Sequence, residues 1–246
     1  MTRLAIIAGS GLSALKGLEI TRQQQQQTPY GEPSAALIYG IFAGKEIIFL
    51  PRHGEPHVIP PHKVNYRANI WGLKENDVDK IISINAVGGI TETMHPGTLV
   101  VPDQIIDYTW SRAHTFFEDD LSHVTHVEFT APYSEELRHI IINTAELKKL
   151  DISRAGTYGA TQGPRLESAA EIARMQRDGC DIVGMTGMPE TALARELELS
   201  YASISIVANW AAGKSEEAIT MEMIEKNMQK ALVNVQDLLA AVIRVI

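Results

Sequence analysis

The sequence predicts a single α/β domain over residues 1–246, built on a mixed but largely parallel, twisted central sheet flanked by helices. Short β-branched runs bounded by Gly or Pro alternate with longer segments of helical period, and that alternation builds a sheet covered on both faces. No linker and no internal repeat divides the chain.

The strands read in order as "LAIIAG" (4–9), "EIIFLP" (46–51), "IISINAVGG" (81–89), "TLVVP" (98–102), "ISRAGTYGAT" (152–161), "DIVGMT" (181–186) and "YASISIVAN" (201–209). Helices are expected over 64–76, 134–149, 167–178, 188–197 and 220–244. The last carries apolar residues at 221, 224, 228, 232, 235, 238 and 242, close to the 3.6-residue repeat of one helix face. The "QQQQQ" run at 23–27 is too short for a domain and reads as a solvated loop or strand edge.

Composition removes several classes of function. With 45% hydrophobic and 21% charged residues, the chain has the balance of a soluble globular protein. A formal net charge of −8 with no basic patch argues against a nucleic-acid partner. Cys180 is the only cysteine, which excludes an intrachain disulfide and suits a reducing compartment. The apolar run at the start is too short for a signal peptide, and no run of about 18 apolar residues marks a membrane span. A cytoplasmic protein is expected.

Three motifs mislead. "GSGLSA" (9–14) matches a dinucleotide-binding fingerprint, but a Gln run and the turn "TPYGEPS" follow where a helix, a strand and an acid should. "AAGKS" (211–215) imitates the end of a P-loop, yet Ala208 occupies the place of the first Gly. His53, His57 and His62 cluster, as do His114, His123 and His126, without the Cys or carboxylates of a ligand set, so no metal site is expected.

Polar residues at strand ends carry more weight. "PRHGEPH" puts Arg52 beside His53 after one strand, and an Arg fork with a His can clamp a tetrahedral oxyanion. "NAVGG" closes another on Asn85. "GMTGMPE" places Met185 and Thr186 before a helix N-terminus, where phosphate is favoured. "TQGPRLES" places Glu167 near a helix start, and "SIVAN" ends on Asn209. Singly, each is equally a turn or a cap: Thr186 an N-cap, Glu167 an acid set against the helix dipole. Together they favour a site, because ligands of α/β sheets bind at strand carboxyl ends.

The order "GSG…RHG…VNYRANIW…NAVGG…QGPRLES…GMTGMPE…SIVAN" resembles the purine nucleoside phosphorylase and methylthioadenosine phosphorylase family, trimeric branch, along essentially the whole chain. "RHG" and "KVNYRANIW" are similar to the methylthio-nucleoside branch; "NAVGG", "GPRLES" and "VAN" to the branch that cleaves 6-oxopurine nucleosides. The resemblance implies a nucleoside-phosphorylase fold and phosphate-dependent cleavage of a 5′-methylthio nucleoside of hypoxanthine. Inorganic phosphate would be the co-substrate, with no metal or organic cofactor. It further implies phosphate contacts from Ser10, Arg52, His53, Asn85, the Ala86 N–H and Thr186, with Met185 under the ribose. Glu167 and Asn209 would face the purine, with His53 completing the catalytic set. Leu166 stands where the family often has Phe, Ser10 where it often has Thr, and Gly187 where it has Ser or Thr. A homotrimer is implied, whose neighbour would lend His114 or Phe117 from "YTWSRAHTFFEDD". Trp210 has no implied role.

The base preference follows from hydrogen-bond complementarity. A 6-oxopurine offers N1–H as donor and O6 and N7 as acceptors, matching an ionised Glu167 and the amide of Asn209. Adenine inverts the pattern at N1 and N6, a buried mismatch of roughly 1–3 kcal/mol. The adenine-reading branch carries Asp at the position of Asn209 and another two residues on, where this chain has Ala211. Met221 and Ile224 are expected to line an apolar pocket for the methylthio group, against the alternative that they belong to the helix core stripe. The competing functions are inosine or guanosine phosphorolysis, methylthioadenosine phosphorolysis, a nicotinamide oxidoreductase resting on "GSGLSA" alone, and a noncatalytic nucleoside-binding protein.

Overall fold

The computed structural model describes residues 3–9, 12, 15–119, 121–216 and 219–246. Its strands are β1 (Leu4–Ala8), β2 (Glu19–Gln24), β3 (Leu37–Phe42), β4 (Lys45–Pro51), β5 (Lys80–Gly89), β6 (Leu99–Val100), β7 (Gln104–Asp107), β8 (Ile152–Ser153), β9 (Thr157–Ala160), β10 (Ile182–Gly184) and β11 (Ser200–Trp210). The helices are α1 (Tyr66–Lys74), α2 (Glu135–Leu147), α3 (Ala169–Arg177), α4 (Gly187–Glu196) and α5 (Met221–Val245).

The strands join in one mixed sheet ordered β2-β3-β4-β1-β5-β10-β9-β7, with β11 running along the other edge of β5 and continuing to β6 and β8. β1 pairs parallel with β4 and β5, and β5 pairs parallel with β11. The β2–β3–β4 meander and the β10–β5 contact are antiparallel. Every residue of β1 is buried because both faces of the sheet are covered. Leu4, Ile6 and Ala8 enter a core with α2 and α5, while Ala5 and Ile7 enter the opposite core with α1 and α4. Burying each such Ile or Leu is worth roughly 1.5–3 kcal/mol.

The observed elements differ from the expected ones in two respects. The strand expected over 152–161 is two strands, β8 pairing with β6 and β9 with β10 and β7. Between them Arg138 takes the Arg154 carbonyl at 2.6 Å and Asp103 takes the Gly156 N–H at 2.8 Å, which turns the chain from one partner to the next. β2, β3 and β7 were not anticipated. The Gln run begins on β2, an edge strand exposed along nearly all its length. Of "GSGLSA" only Gly9 and Leu12 fall among the described residues, and the next described element after β1 is the edge strand β2.

β11 holds a β-bulge: Val207 lies opposite Val87, but Asn209, not Ala208, lies opposite Gly88. A bulge leaves an unpaired residue and re-aims the side chains beside it. Here Asn227 of α5 donates its side-chain amide to the Ala208 carbonyl at 2.8 Å. Opposite, Gly89 admits no side chain, since a Cβ there would stand 1.8 Å from the Met94 carbonyl oxygen.

Candidate active site

The carboxyl ends of β1, β4, β5, β10 and β11 converge on a cavity of about 700 Å³. Gly9, Arg52, His53, Asn85, Ala86, Met185, Thr186 and Asn209 line it from the strand ends, Leu166 and Glu167 from the loop before α3, and Met221 and Ile224 from the start of α5. Ser10 lies outside the described residues. His114 and Phe117 lie away from this cavity, on a loop where His114 is exposed.

The floor is a buried polar network. Arg52 donates Nε to Glu190 at 2.6 Å and Nη2 to Glu190 and Ser83 at 2.8 and 2.7 Å, and Nη1 to the Ile84 carbonyl at 3.1 Å. Four of its five N–H groups are thereby used. Nη1 also packs close to Gly9, where a Cβ would come within 3.0 Å of it. Glu190 is fully buried and also accepts from Tyr201 at 2.8 Å and Ser83 at 3.1 Å. Burial opposes the Arg52 charge, but the Coulombic attraction and hydrogen bonds of Glu190 outweigh it and hold its pKa above the ordinary value.

His53 is buried, and its Nδ1 lies 2.7 Å from the Ile59 carbonyl. A carbonyl only accepts, so Nδ1 carries the proton. Burial and the neighbouring Arg52 charge lower its pKa to about 4, so at neutral pH the ring is uncharged and Nε2 is an acceptor. His57 packs on it with ring centres 4.5 Å apart, and burial and Arg52 lower its pKa too.

Asn85 and Thr186 are partners: Thr186 Oγ1 donates to Asn85 Oδ1 at 3.1 Å, and Asn85 Nδ2 donates to Ser203 at 2.7 Å. Thr186 therefore does not cap α4, and Met188 behind it is extended, so the regular helix starts later than the first residue of the element. Glu167 accepts from Thr161 Oγ1 at 2.6 Å. It precedes Ser168, which forms the capping box of α3 with Glu171. The bulge puts both Ala208 and Asn209 on the cavity, and Asn209 Nδ2 donates to the Trp210 carbonyl at 2.7 Å. Met221 is 66% exposed and outside the core of α5, whose buried set begins at Met228; it forms the cavity rim, with Ile224 half-buried below it.

The model of the phosphorylase superfamily matches residues 3–244. The chain belongs to the phosphorylase superfamily. This phosphorylase is 53% identical over 243 residues to a Pseudomonas syringae pv. tomato protein named probable S-methyl-5'-thioinosine phosphorylase, with 99% of each chain covered. It is 45% identical over 251 residues to the 6-oxopurine nucleoside phosphorylase of Pyrococcus furiosus, covering 100% of this chain and 94% of that one. Among solved structures, methylthioadenosine phosphorylase from Schistosoma mansoni in complex with adenine matches with a TM-score of 0.95 at 34% identity, covering 100% of this chain and 92% of that one.

Glu190, Ser83, Ser203 and Thr161 escaped the sequence reading. Glu190 stood in the "GMTGMPE" motif, and an acid in an otherwise apolar helix segment was the available signal. Arg112 also escaped: it is buried and donates to the carbonyls of Thr161, Gln162, Met185 and Met188, tying together the two loops that line the site.

Proposed function

We propose that the enzyme cleaves S-methyl-5′-thioinosine with inorganic phosphate, releasing hypoxanthine and 5-methylthioribose 1-phosphate. The observation that carries this reading is one cavity lined by Glu167, Asn209 and Ala211, with no acid at 209 or 211. A carboxylate accepts from purine N1–H and an amide donates to O6 or N7. Adenine would turn a lone pair at N1 towards the carboxylate.

The chemistry needs phosphate on one face of the ribose and a stabilised purine leaving from the other. As the glycosidic bond breaks, its electrons pass to the purine and the sugar becomes oxocarbenium-like. The free Arg52 proton, the Ala86 N–H and Thr186, turned from Asn85, would hold the anion, with Ser10 beside Gly9. Neutral His53 would accept from the protonated phosphate oxygen. Met185 would lie under the ribose and Leu166 near the base, while Asn209 and Glu167 stabilise charge on the departing base. Positioning and preorganised hydrogen bonds supply the catalysis, so no metal or organic cofactor is required. Turnover that survives exhaustive chelation supports this point, and loss restored by a metal refutes it.

The names and identities of the relatives support the substrate class. Met221 and Ile224 suit a methylthio group, since thioethers pack well on apolar surface. Glu225 and Gln229 of the same helix also line the cavity and favour a second reading, a 5′-hydroxyl and hence inosine as substrate. A panel of methylthioinosine, methylthioadenosine, inosine, guanosine and adenosine, each with and without phosphate, separates these. Faster cleavage of inosine than of methylthioinosine at low concentration overturns the first reading.

The working unit in this reading is a cytoplasmic homotrimer, with His114 or Phe117 completing a neighbour's site. Trp110, Leu121, Val124 and Val127 are exposed apolar side chains in the same region, suited to burial between copies. Sedimentation at a monomer mass refutes the trimer. Among the described residues no helix is long and apolar enough to cross a membrane.

A further inference from the structure

We propose that Thr161 is a specificity-determining positioning residue that holds Glu167 in the orientation that reads a 6-oxopurine. This rests on the reading of Glu167 as the group facing purine N1.

Glu167 sits in an exposed loop: residues 164–166 and 168–170 are exposed around it. An acid on such a loop has several rotatable bonds and no intrinsic reason to aim at a ligand. Thr161 supplies one. It is buried, and its hydroxyl has two acceptors in reach, Glu167 Oε1 at 2.6 Å and the Gly184 carbonyl at 3.3 Å. That carbonyl already takes the Thr161 backbone N–H at 2.8 Å. The single hydroxyl proton therefore goes to Glu167. One carboxylate oxygen is held by the protein, on a residue that lines the cavity.

Thr161 is itself fixed. Its N–H is tied to Gly184, its carbonyl accepts from Arg112 Nη2 at 3.1 Å, and the same guanidinium takes the Gln162 carbonyl at 2.8 Å. A β-branched side chain on an anchored backbone leaves the hydroxyl little freedom. The nearest cation has a partner of its own. Arg165, two residues from Glu167, is held by both oxygens of Glu171 at 2.8 Å each. Glu171 also accepts from the Ser168 N–H at 2.7 Å, which anchors the residue after Glu167. Glu167 is thus steered towards the cavity by a hydroxyl on one side and a capped helix on the other.

The test compares Thr161→Val, which keeps the shape and loses the proton, with Thr161→Ser, which keeps the proton, and with Glu167→Gln. Each is assayed on methylthioinosine and methylthioadenosine. A hydrogen bond to a carboxylate is worth roughly a ten- to hundredfold factor. We expect Thr161→Val to lower kcat/KM for methylthioinosine by about that factor, mainly through nucleoside KM, with phosphate KM unchanged within about twofold. The preference for the 6-oxo over the 6-amino substrate should narrow in parallel, and Thr161→Ser should restore it. If Thr161→Val does not fold, Thr161→Ser against Thr161→Ala on the same two substrates decides. An unchanged substrate ratio in the hydroxyl-less variant, with Glu167→Gln collapsing that ratio, overturns the inference alone. An unchanged ratio in Glu167→Gln overturns the reading on which it rests.

Discussion

Replacing Glu190 with Gln isolates the buried charge beneath the proposed phosphate site. Glu190 accepts two hydrogen bonds from Arg52, one from Tyr201 and one from Ser83, with no solvent exposure. The amide keeps one acceptor oxygen but turns an NH₂ donor towards a guanidinium N–H or the phenol. Arg52 is then a buried cation without a counter-charge. Removing one partner of a buried pair costs about 3–5 kcal/mol. For a chain of this size each kcal/mol moves Tm by roughly 2–4 °C, so a fall of roughly 6–20 °C is expected. Thermal denaturation by circular dichroism at pH 7 reads it directly. Repeating the scan with saturating phosphate adds a sharper comparison. The dianion would become the missing counter-charge, so phosphate should raise Tm more in Glu190→Gln than in the parent. A Tm within about 2 °C of the parent refutes the energetic account. Equal phosphate shifts in both proteins refute the placement of Arg52 at the anion.

Asn209→Asp should move kcat/KM towards 6-aminopurine nucleosides, because the carboxylate accepts where the amide donates; an unchanged substrate panel would remove Asn209 from base recognition. His53 predicts a pH signature in stability. Its folded pKa of about 4 lies below the unfolded value near 6.5, so the unfolded chain takes up a proton first as pH falls, and stability is lost between about pH 6.5 and 4. The full effect is at most about 3–4 kcal/mol. Urea midpoints of the parent and His53→Gln at pH 7 and 4.5 should therefore converge on the acid side, and a pH-independent difference contradicts the shift. Gly89→Ala drives a methyl into the Met94 carbonyl and should cost about 2 kcal/mol or more in urea unfolding, whereas a loss below about 0.5 kcal/mol means the backbone yields.

The central strands were legible because a strand buried on both faces is short and rich in small and β-branched residues with no charge, as in "LAIIA" and "SISIV". β2, "EITRQQ", is a solvated edge with no apolar alternation, and β7 is only four residues long. The polar residues that line the cavity were conspicuous for a local reason: each closes an apolar strand or opens a helix. What supports them was not. Arg52 and Glu190 are 138 positions apart, and Asn85 and Ser203 are 118. Only the register of β5 against β11 brings the second pair together. The bulge was hidden as well, since it adds a residue without breaking the apolar run.

That extra residue is a phase shift placed just before β11 leaves the sheet. Upstream, alternation assigns each side chain to one core or the other, and any change must satisfy neighbours on the adjoining strands. Downstream of Ala208 the count restarts, fixed by the grip of Asn227 on the freed carbonyl. One strand is thereby divided into a long half that answers to packing on both faces and a short end that lines the cavity. Ala211, two residues past Asn209, is packed again among Ile90, Ile172 and Val183, so the stretch released from the alternation is short.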